Sequence, residues 1–347
     1  MIRQSKMSAD PTLDIDKVTS ALSSRMPSYF GPWSFAKTTQ GQSNPTFILQ
    51  GKNYSLVLRR KPDGNLLKSA HMVEREYEVM KALHKSDVPV PKVFYLCDDI
   101  TEIGSVYFVM EFVNGVTFSE PQLPNLTPEQ RKKIYDSMNA SLASLHKVNP
   151  NMIGLSDFGR TGNYFERQLS RWSQQFELTT TDKVIEMETL RDWLAKNIPK
   201  EINEPRLVHG DWRIDNLIFS KHDFSLLAVV DWELSTIGDP RADLATQLMQ
   251  WSMPMGKEGR GLLNANRTEL GIPSNESYVE EYSRRAGLTE LPDLEFAIAF
   301  CFFKMAAIMQ GVKKRALDGN ASNPEQAIKM GEYVPIFARS ALDFIKK

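Results

Sequence analysis

The stretch that most constrains this chain runs from Leu207 to Ala245 and reads LVHGDWRIDNLIFSKHDFSLLAVVDWELSTIGDPRADLA. A short apolar run ends in His209-Gly210-Asp211, Asn216 follows in a tight loop, and a second apolar run, Leu226 to Val230, delivers Asp231. Two strands, paired with each other, are thereby expected to carry three polar groups to one edge. Phosphoryl transfer needs one carboxylate to orient and deprotonate a hydroxyl, and an amide oxygen plus a second carboxylate to hold Mg²⁺ on the phosphates. Asp211, Asn216 and Asp231 fill those roles. A buried Asp can also cap a turn without doing chemistry, but three such residues converging from two apolar strands weigh against that reading.

The spacing narrows the choice further. Asp211 and Asn216 lie five positions apart, as Asp and Asn do in the kinase pattern H-R-D-x-x-x-x-N, and Asp231 sits where the D-F-G aspartate would. Gly210 replaces the Arg, and Trp232-Glu233 replace Phe-Gly. HGDxxxxN, then D-W-E, then G-D-P-x-x-D resembles the aminoglycoside phosphotransferase and choline kinase-like family rather than the protein kinases. Glu74-Arg75-Glu76-Tyr77, Asp231 to Pro240 and Met305 to Ser322 extend the likeness to the kinase-like domain fused to some eukaryotic acyl-CoA dehydrogenases, over roughly residues 30 to 325.

The resemblance implies an α+β, two-lobed protein-kinase-like fold. Its N-lobe, residues 1–113, would hold an antiparallel sheet and one helix; its C-lobe, residues 114–347, would be mainly helical and carry the catalytic loop and acceptor pocket. ATP and Mg²⁺ would be the cofactors, and the hydroxyl of a small molecule the acceptor.

Size and composition agree with a large folded protein. A chain of 347 residues can bury an extensive core. Its net charge of -1 gives no general attraction to nucleic acid or to an anionic membrane. Two distant cysteines, Cys97 and Cys301, indicate neither a disulfide framework nor a cysteine metal site, so a reducing, cytoplasmic location is expected. Phe296 to Met309 is apolar but interrupted by Lys304 and reads as a buried helix too short to span a bilayer.

Residues 1–11 are polar without period and are expected to lack order. Val18, Leu22 and Met26 line a helix that Gly31-Pro32 ends. Strand signals follow at Trp33 to Thr38, Thr46 to Gln50 and Tyr54 to Arg59. The loop between the first two holds one glycine and matches no phosphate-loop pattern; beside the later motifs, Gln42, Ser43 and Asn44 become candidate phosphate contacts. Arg59 stands where protein kinases place the phosphate-binding Lys. Glu76 falls on the apolar stripe Met72, Glu76, Val79 and Leu83, and a carboxylate there needs a partner. Arg59 is the natural one.

Val93 to Cys97 and Val106 to Phe112 read as further strands, the second running into a hinge at Asn114-Gly115. By resemblance, the backbone of Glu111 and Val113 would meet the adenine edge. Thr127-Pro128-Glu129-Gln130 opens a helix with a capping box, and Phe165, Leu169, Trp172 and Phe176 line another. His209 is a base by residue type and a loop brace by resemblance; Asp239 and Asp243 are expected to hold loop backbone. Trp212 and Arg213 are candidates to face the acceptor, and Glu233 ranks behind Asn216 and Asp231 as a metal ligand.

The likeness to the dehydrogenase-fused domain implies a hydroxyacyl-CoA or hydroxy acid as acceptor, with an aminoglycoside or amino alcohol as the alternative. A cationic aminoglycoside or amino alcohol would want an acidic pocket, whereas a hydroxyacyl-CoA or hydroxy acid would want a basic one. Arg260, Arg267, Lys313, Lys314 and Arg315 are candidates for the basic case, and a solvated helix face explains them equally. A nucleotide-binding protein without catalysis is the third reading.

Overall fold

A computed structural model of the chain describes residues 13–29, 31–38, 44–62, 71–160, 162–202, 204–319 and 323–346. The expectation for residues 1–11, and those for Gln42 and Ser43, therefore lie outside the described residues.

The first half is built on a five-stranded antiparallel sheet. After helix α1 (Ile15–Arg25) come β1 (Ser34–Lys37), β2 (Thr46–Gln50), β3 (Ser55–Arg60), α2 (Val73–Leu83), β4 (Val93–Cys97), the single turn α3 (Ile100–Ile103) and β5 (Tyr107–Glu111). The sheet order is β1-β2-β3-β5-β4. Alternation decides the two faces: Leu56 and Leu58 of β3 pack with Val18 and Leu22 of α1 in one core, while Val57 joins Val73, Val79 and Leu83 of α2 in the other. The same alternation turns Arg59 toward α2.

The second half is mainly helical. It contains α4 (Pro128–Lys147), α5 (Tyr164–Thr179), α6 (Ile185–Lys196), β6 (Arg206–Val208), β7 (Leu217–Phe219), β8 (Leu226–Val229), β9 (Thr236–Gly238), α7 (Arg241–Trp251), α8 (Gly256–Gly259), α9 (Arg267–Leu270), α10 (Asn275–Ala286), α11 (Leu294–Leu317), α12 (Pro324–Gly331) and α13 (Val334–Phe344). The capping box of α4 forms, with Thr127 and Gln130 reciprocally bonded. Every residue of α7 is buried, and α11 packs against it, α5, α12 and α13.

Two expectations need correction. The strands that deliver Asp211 and Asp231 are not partners of each other: β6 pairs with β9, and β8 pairs with β7. The motif stretch is thus two short antiparallel pairs rather than one. The apolar segment around Phe296 is also longer than its unbroken run, since Lys304 does not end it. As a 24-residue helix, α11 is long and apolar enough to cross a membrane by length and composition, yet its most apolar window is mostly buried inside the protein.

Candidate active site

Pairing brings two loops to one end of the short strands. The loop after β6 runs from His209 through a single 3₁₀ turn, Ile214–Asn216, into β7; the loop after β8 runs from Val230 through the turn Trp232–Leu234 into β9. Val230 donates its N–H to the Asn216 carbonyl at 3.0 Å, and His209 Nε2 donates to the Val230 carbonyl at 3.0 Å. These bonds place Asn216 beside Asp231.

His209 serves geometry. Its Nδ1 accepts the Asp211 N–H at 3.2 Å while Nε2 bonds Val230, so both nitrogens of the fully buried ring are engaged. Asp243, in the first turn of α7, accepts the N–H groups of His209 and Gly210 at 2.6 and 2.7 Å and also meets His146 Nε2 at 3.2 Å. Burial pushes this carboxyl up, but the His146 hydrogen bond and the backbone donors hold it below the usual range. Asp239 instead grips its neighbour Arg241, at both the backbone N–H and the guanidinium. Gly210 has φ of 83°, and a Cβ there would lie 2.5 Å from the Leu234 carbonyl oxygen, so only glycine lets the loops approach this closely. Asp231 itself adopts a left-handed backbone, φ 69° and ψ 56°, an uncommon conformation of the kind that collects at functional sites.

Asp211 is the most heavily engaged group. Arg213 Nε and Nη2 reach its two carboxylate oxygens at 2.9 and 3.1 Å, and Asn216 Nδ2 donates to Oδ2 at 3.0 Å. Burial raises its pKa, but the charges of Arg213 and Lys304 outweigh that and hold it below the ordinary carboxylate range. Lys304 donates to the Gly210 carbonyl. It was visible in the sequence only as a break in an apolar run; a lysine in a buried helix must find a carbonyl or a carboxylate, and that is the signal that points to it.

On the N-lobe side, Arg59 Nε donates to Glu76 Oε1 at 3.0 Å and Nη2 to Asp231 Oδ1 at 2.5 Å. One guanidinium therefore ties β3 and α2 to the Asp231 loop. Arg75 adds a second tie, from α2 to the carbonyls of Phe158 and Ser235 at 2.8 and 3.2 Å. Asn44 is fully buried, with Nδ2 bonding Glu76 at 3.0 Å and Glu233 at 3.3 Å. Its side chain braces carboxylates.

Carboxylate oxygens of Glu76, Asp231 and Glu233 lie within 4.8 Å of one another. Three acids face Arg59, which raises the arginine's pKa despite burial, and the same crowding with burial pushes Glu76 up to about 7. Both shifts are upward, which favours the charged arginine, because Arg59 sees only opposite charges, and disfavours the charged carboxylate, because Glu76 is buried and sees two like charges beside Arg59. An all-oxygen, acid-rich donor set of this kind fits a hard divalent cation such as Mg²⁺. The excess charge has a measurable consequence. Because Glu76 binds its proton more tightly folded than its ordinary value of 4.5 implies, the resulting stability is fully present below that value and is lost as pH rises through about 7. Denaturant titrations of the metal-free protein should show stability falling by up to about 3 kcal/mol across that window, and Glu76→Gln should flatten the slope.

The remaining candidates divide. Glu111 ends β5 with its N–H bonded to the Lys92 carbonyl at 2.8 Å, and Val113 lies two residues beyond in the segment that leads to the bridge between Val116 and Phe219. Trp212 is fully buried against His209, so it backs the loop rather than lining its accessible face. Of the C-terminal basic residues, Arg260 pairs with Asp215 of the loop at 2.6 Å. Lys313 and Lys314 pair with Asp182 and Asp318, and Arg267 lies over Trp251.

Comparison with known proteins gives a consistent picture. Residues 35–291 match the model of the phosphotransferase enzyme family. Acyl-CoA dehydrogenase family member 10 of Mus musculus is 41% identical over 318 residues, which cover 91% of this chain and 30% of that protein. Family member 11 of Homo sapiens is 38% identical over 317 residues, covering 90% and 40%. The chain thus spans less than half the length of these relatives. A Ralstonia eutropha structure, provisionally assigned as an aminoglycoside phosphotransferase, is 39% identical with a TM-score of 0.85, covering 96% of this chain and 98% of that one. Spectinomycin phosphotransferase, solved with ADP and spectinomycin, shares 12% identity at a TM-score of 0.64 over 97% and 100% of the chains, a likeness of fold. That fold is the two-lobed kinase-like one.

Proposed function

The chain belongs to the phosphotransferase enzyme family, and from that premise we propose that it is an ATP- and Mg²⁺-dependent phosphotransferase acting on a hydroxyl of a small molecule. The observation that carries this reading is the gathering of Asp211, Asn216 and Asp231 by two loops bonded to each other. Asp211 orients the acceptor hydroxyl and takes its proton. Asn216 spends Nδ2 on Asp211, which leaves its Oδ1 to join Asp231 as an Mg²⁺ ligand, with Glu233 behind them. When bound, Mg²⁺ would neutralise charge on the phosphates. Arg59, braced by Glu76, supplies the fixed cation of the phosphate site, and the backbone of Glu111 and Val113 lines the adenine edge. Residues 1–113 and 114–347 form the two lobes of this enzyme, and two free cysteines accord with a reducing cytoplasm.

The acceptor side favours an anion. Arg213 and Lys304 stand against Asp211, and Arg260 lies one carboxylate further out. A hydroxy acid or hydroxyacyl-CoA complements these charges, and a cationic aminoglycoside or amino alcohol does not. The names of the curated relatives, which speak of acyl-CoA, support the same choice.

A phosphate-transfer screen tests the reading. Mg·ATP offered with hydroxy acids, their CoA esters, amino alcohols and sugars should give a phosphate ester, seen by ³¹P NMR, in one of the first two groups. Ester formation confined to amino alcohols or aminoglycosides would reverse the acceptor assignment, and absence of any nucleotide turnover would favour a non-catalytic role.

A further inference from the structure

The catalytic carboxylate of the preceding reading is not free. Arg213 spans both of its oxygens and Asn216 shares one, so three of roughly four lone-pair directions on Asp211 are filled and its charge is matched by a guanidinium. A general base in that state presents little to an incoming hydroxyl. Next to it stands a second carboxylate with the opposite problem. Asp215 receives Arg260 on Oδ2 at 2.6 Å, while its Oδ1 is buried with no hydrogen-bond partner among the described residues. A buried acceptor oxygen left unpaired is costly and calls for a donor. Arg213 Nη2 already lies 3.4 Å from Asp215 Oδ2.

We propose that Arg213 is a positioning residue with two seats, closed on Asp211 when the acceptor site is empty and open on the unpaired oxygen of Asp215 when a hydroxyl takes its place. Arg260, which anchors on the Ser119 carbonyl at 3.0 Å, holds Asp215 still for the exchange. In the closed seat the base is withheld from water, so bound nucleotide is protected from hydrolysis. In the open seat the acceptor oxygen bonds the γ-phosphorus, the bond from that phosphorus to the ADP oxygen breaks, and the acceptor proton passes to Asp211 and then to solvent. The sequence holds both seats within one loop, Asp211-Trp212-Arg213-Ile214-Asp215, where each carboxylate lies two residues from the arginine.

This inference rests on the phosphotransfer reading, and its test separates the two. The assay is hydrolysis of Mg·ATP with water as the acceptor, alongside calorimetric binding of Mg·ATP to each variant. Arg213→Met should raise hydrolysis about tenfold or more while binding Mg·ATP as the wild type does. Arg213→Lys, which can hold one carboxylate oxygen at a time, should give an intermediate rate and decides the matter if the methionine variant does not fold. Adding Asp211→Asn to Arg213→Met should abolish the gain. Asp215→Asn should slow the wild-type background about threefold and leave the Arg213→Met background unchanged, a non-additivity that a merely structural loop defect would not produce. An Arg213 variant that binds Mg·ATP normally yet hydrolyses it no faster overturns the gate. So does a gain that survives Asp211→Asn, or an Asp215→Asn effect that is equal in both backgrounds. Failure of the wild type to bind Mg·ATP overturns the phosphotransfer reading itself, and the gate with it.

Discussion

Asp211→Ala should reduce phosphoryl transfer by about 10²- to 10⁴-fold, the range of a lost general base, while Mg·ATP still binds. The split follows from where the side chain sits. Asp211 meets Arg213 and Asn216, on the acceptor side of the loop, whereas Arg59, Glu76, Asp231 and Glu233 make up the cluster of one cation and three acids assigned to the phosphates. Single-turnover kinetics with binding measured separately would check it. A variant that transfers phosphate to the true acceptor at the wild-type rate would remove Asp211 from its role.

Asp243→Ala should cost stability before it costs chemistry. The carboxylate is fully buried and satisfies two backbone N–H groups, those of His209 and Gly210, as well as His146. Truncation leaves all three donors without an acceptor in a dry interior, a loss of roughly 3–5 kcal/mol. Asp243→Asn should recover little, because its amide nitrogen would face donors. Denaturant unfolding of both variants, with slope and midpoint recorded, measures the loss. A change under about 1 kcal/mol would mean that water or a shifted side chain takes over those N–H groups.

Much of the fold was legible because local patterns and burial agreed. The apolar runs at Thr46 to Gln50 and Val93 to Cys97 form strands with those bounds. Glu76 on an apolar stripe demanded a cation, and Arg59 supplies it. The same demand for a partner could have been pressed at Lys304, but α11 is apolar around most of its circumference, so its sequence carries no stripe to say which way the lysine turns. Its partner, Gly210, is 94 residues away. Strand pairing failed for a related reason: β6, β7 and β9 span three residues each, too short for alternation to announce a register. Arg213 was placed near the acceptor by its position between Asp211 and Asn216, yet nothing in the spacing says that it closes on Asp211 itself. The role of Asn44 was hidden as well, since its partners come from α2 and from the turn after β8, remote in the chain.

The account depends on Asp231 and Asn216 holding a metal that brings the nucleotide's phosphates to Asp211. Calorimetric titration of ATP with and without Mg²⁺, on the wild type and on Asp231→Asn, tests that dependence at its root. The account predicts that Mg²⁺ strengthens ATP binding to the wild type by about tenfold or more and that the Asp231→Asn variant loses this increment. ATP binding that is indifferent to Mg²⁺, or a Mg²⁺ increment that survives Asp231→Asn unchanged, would contradict it.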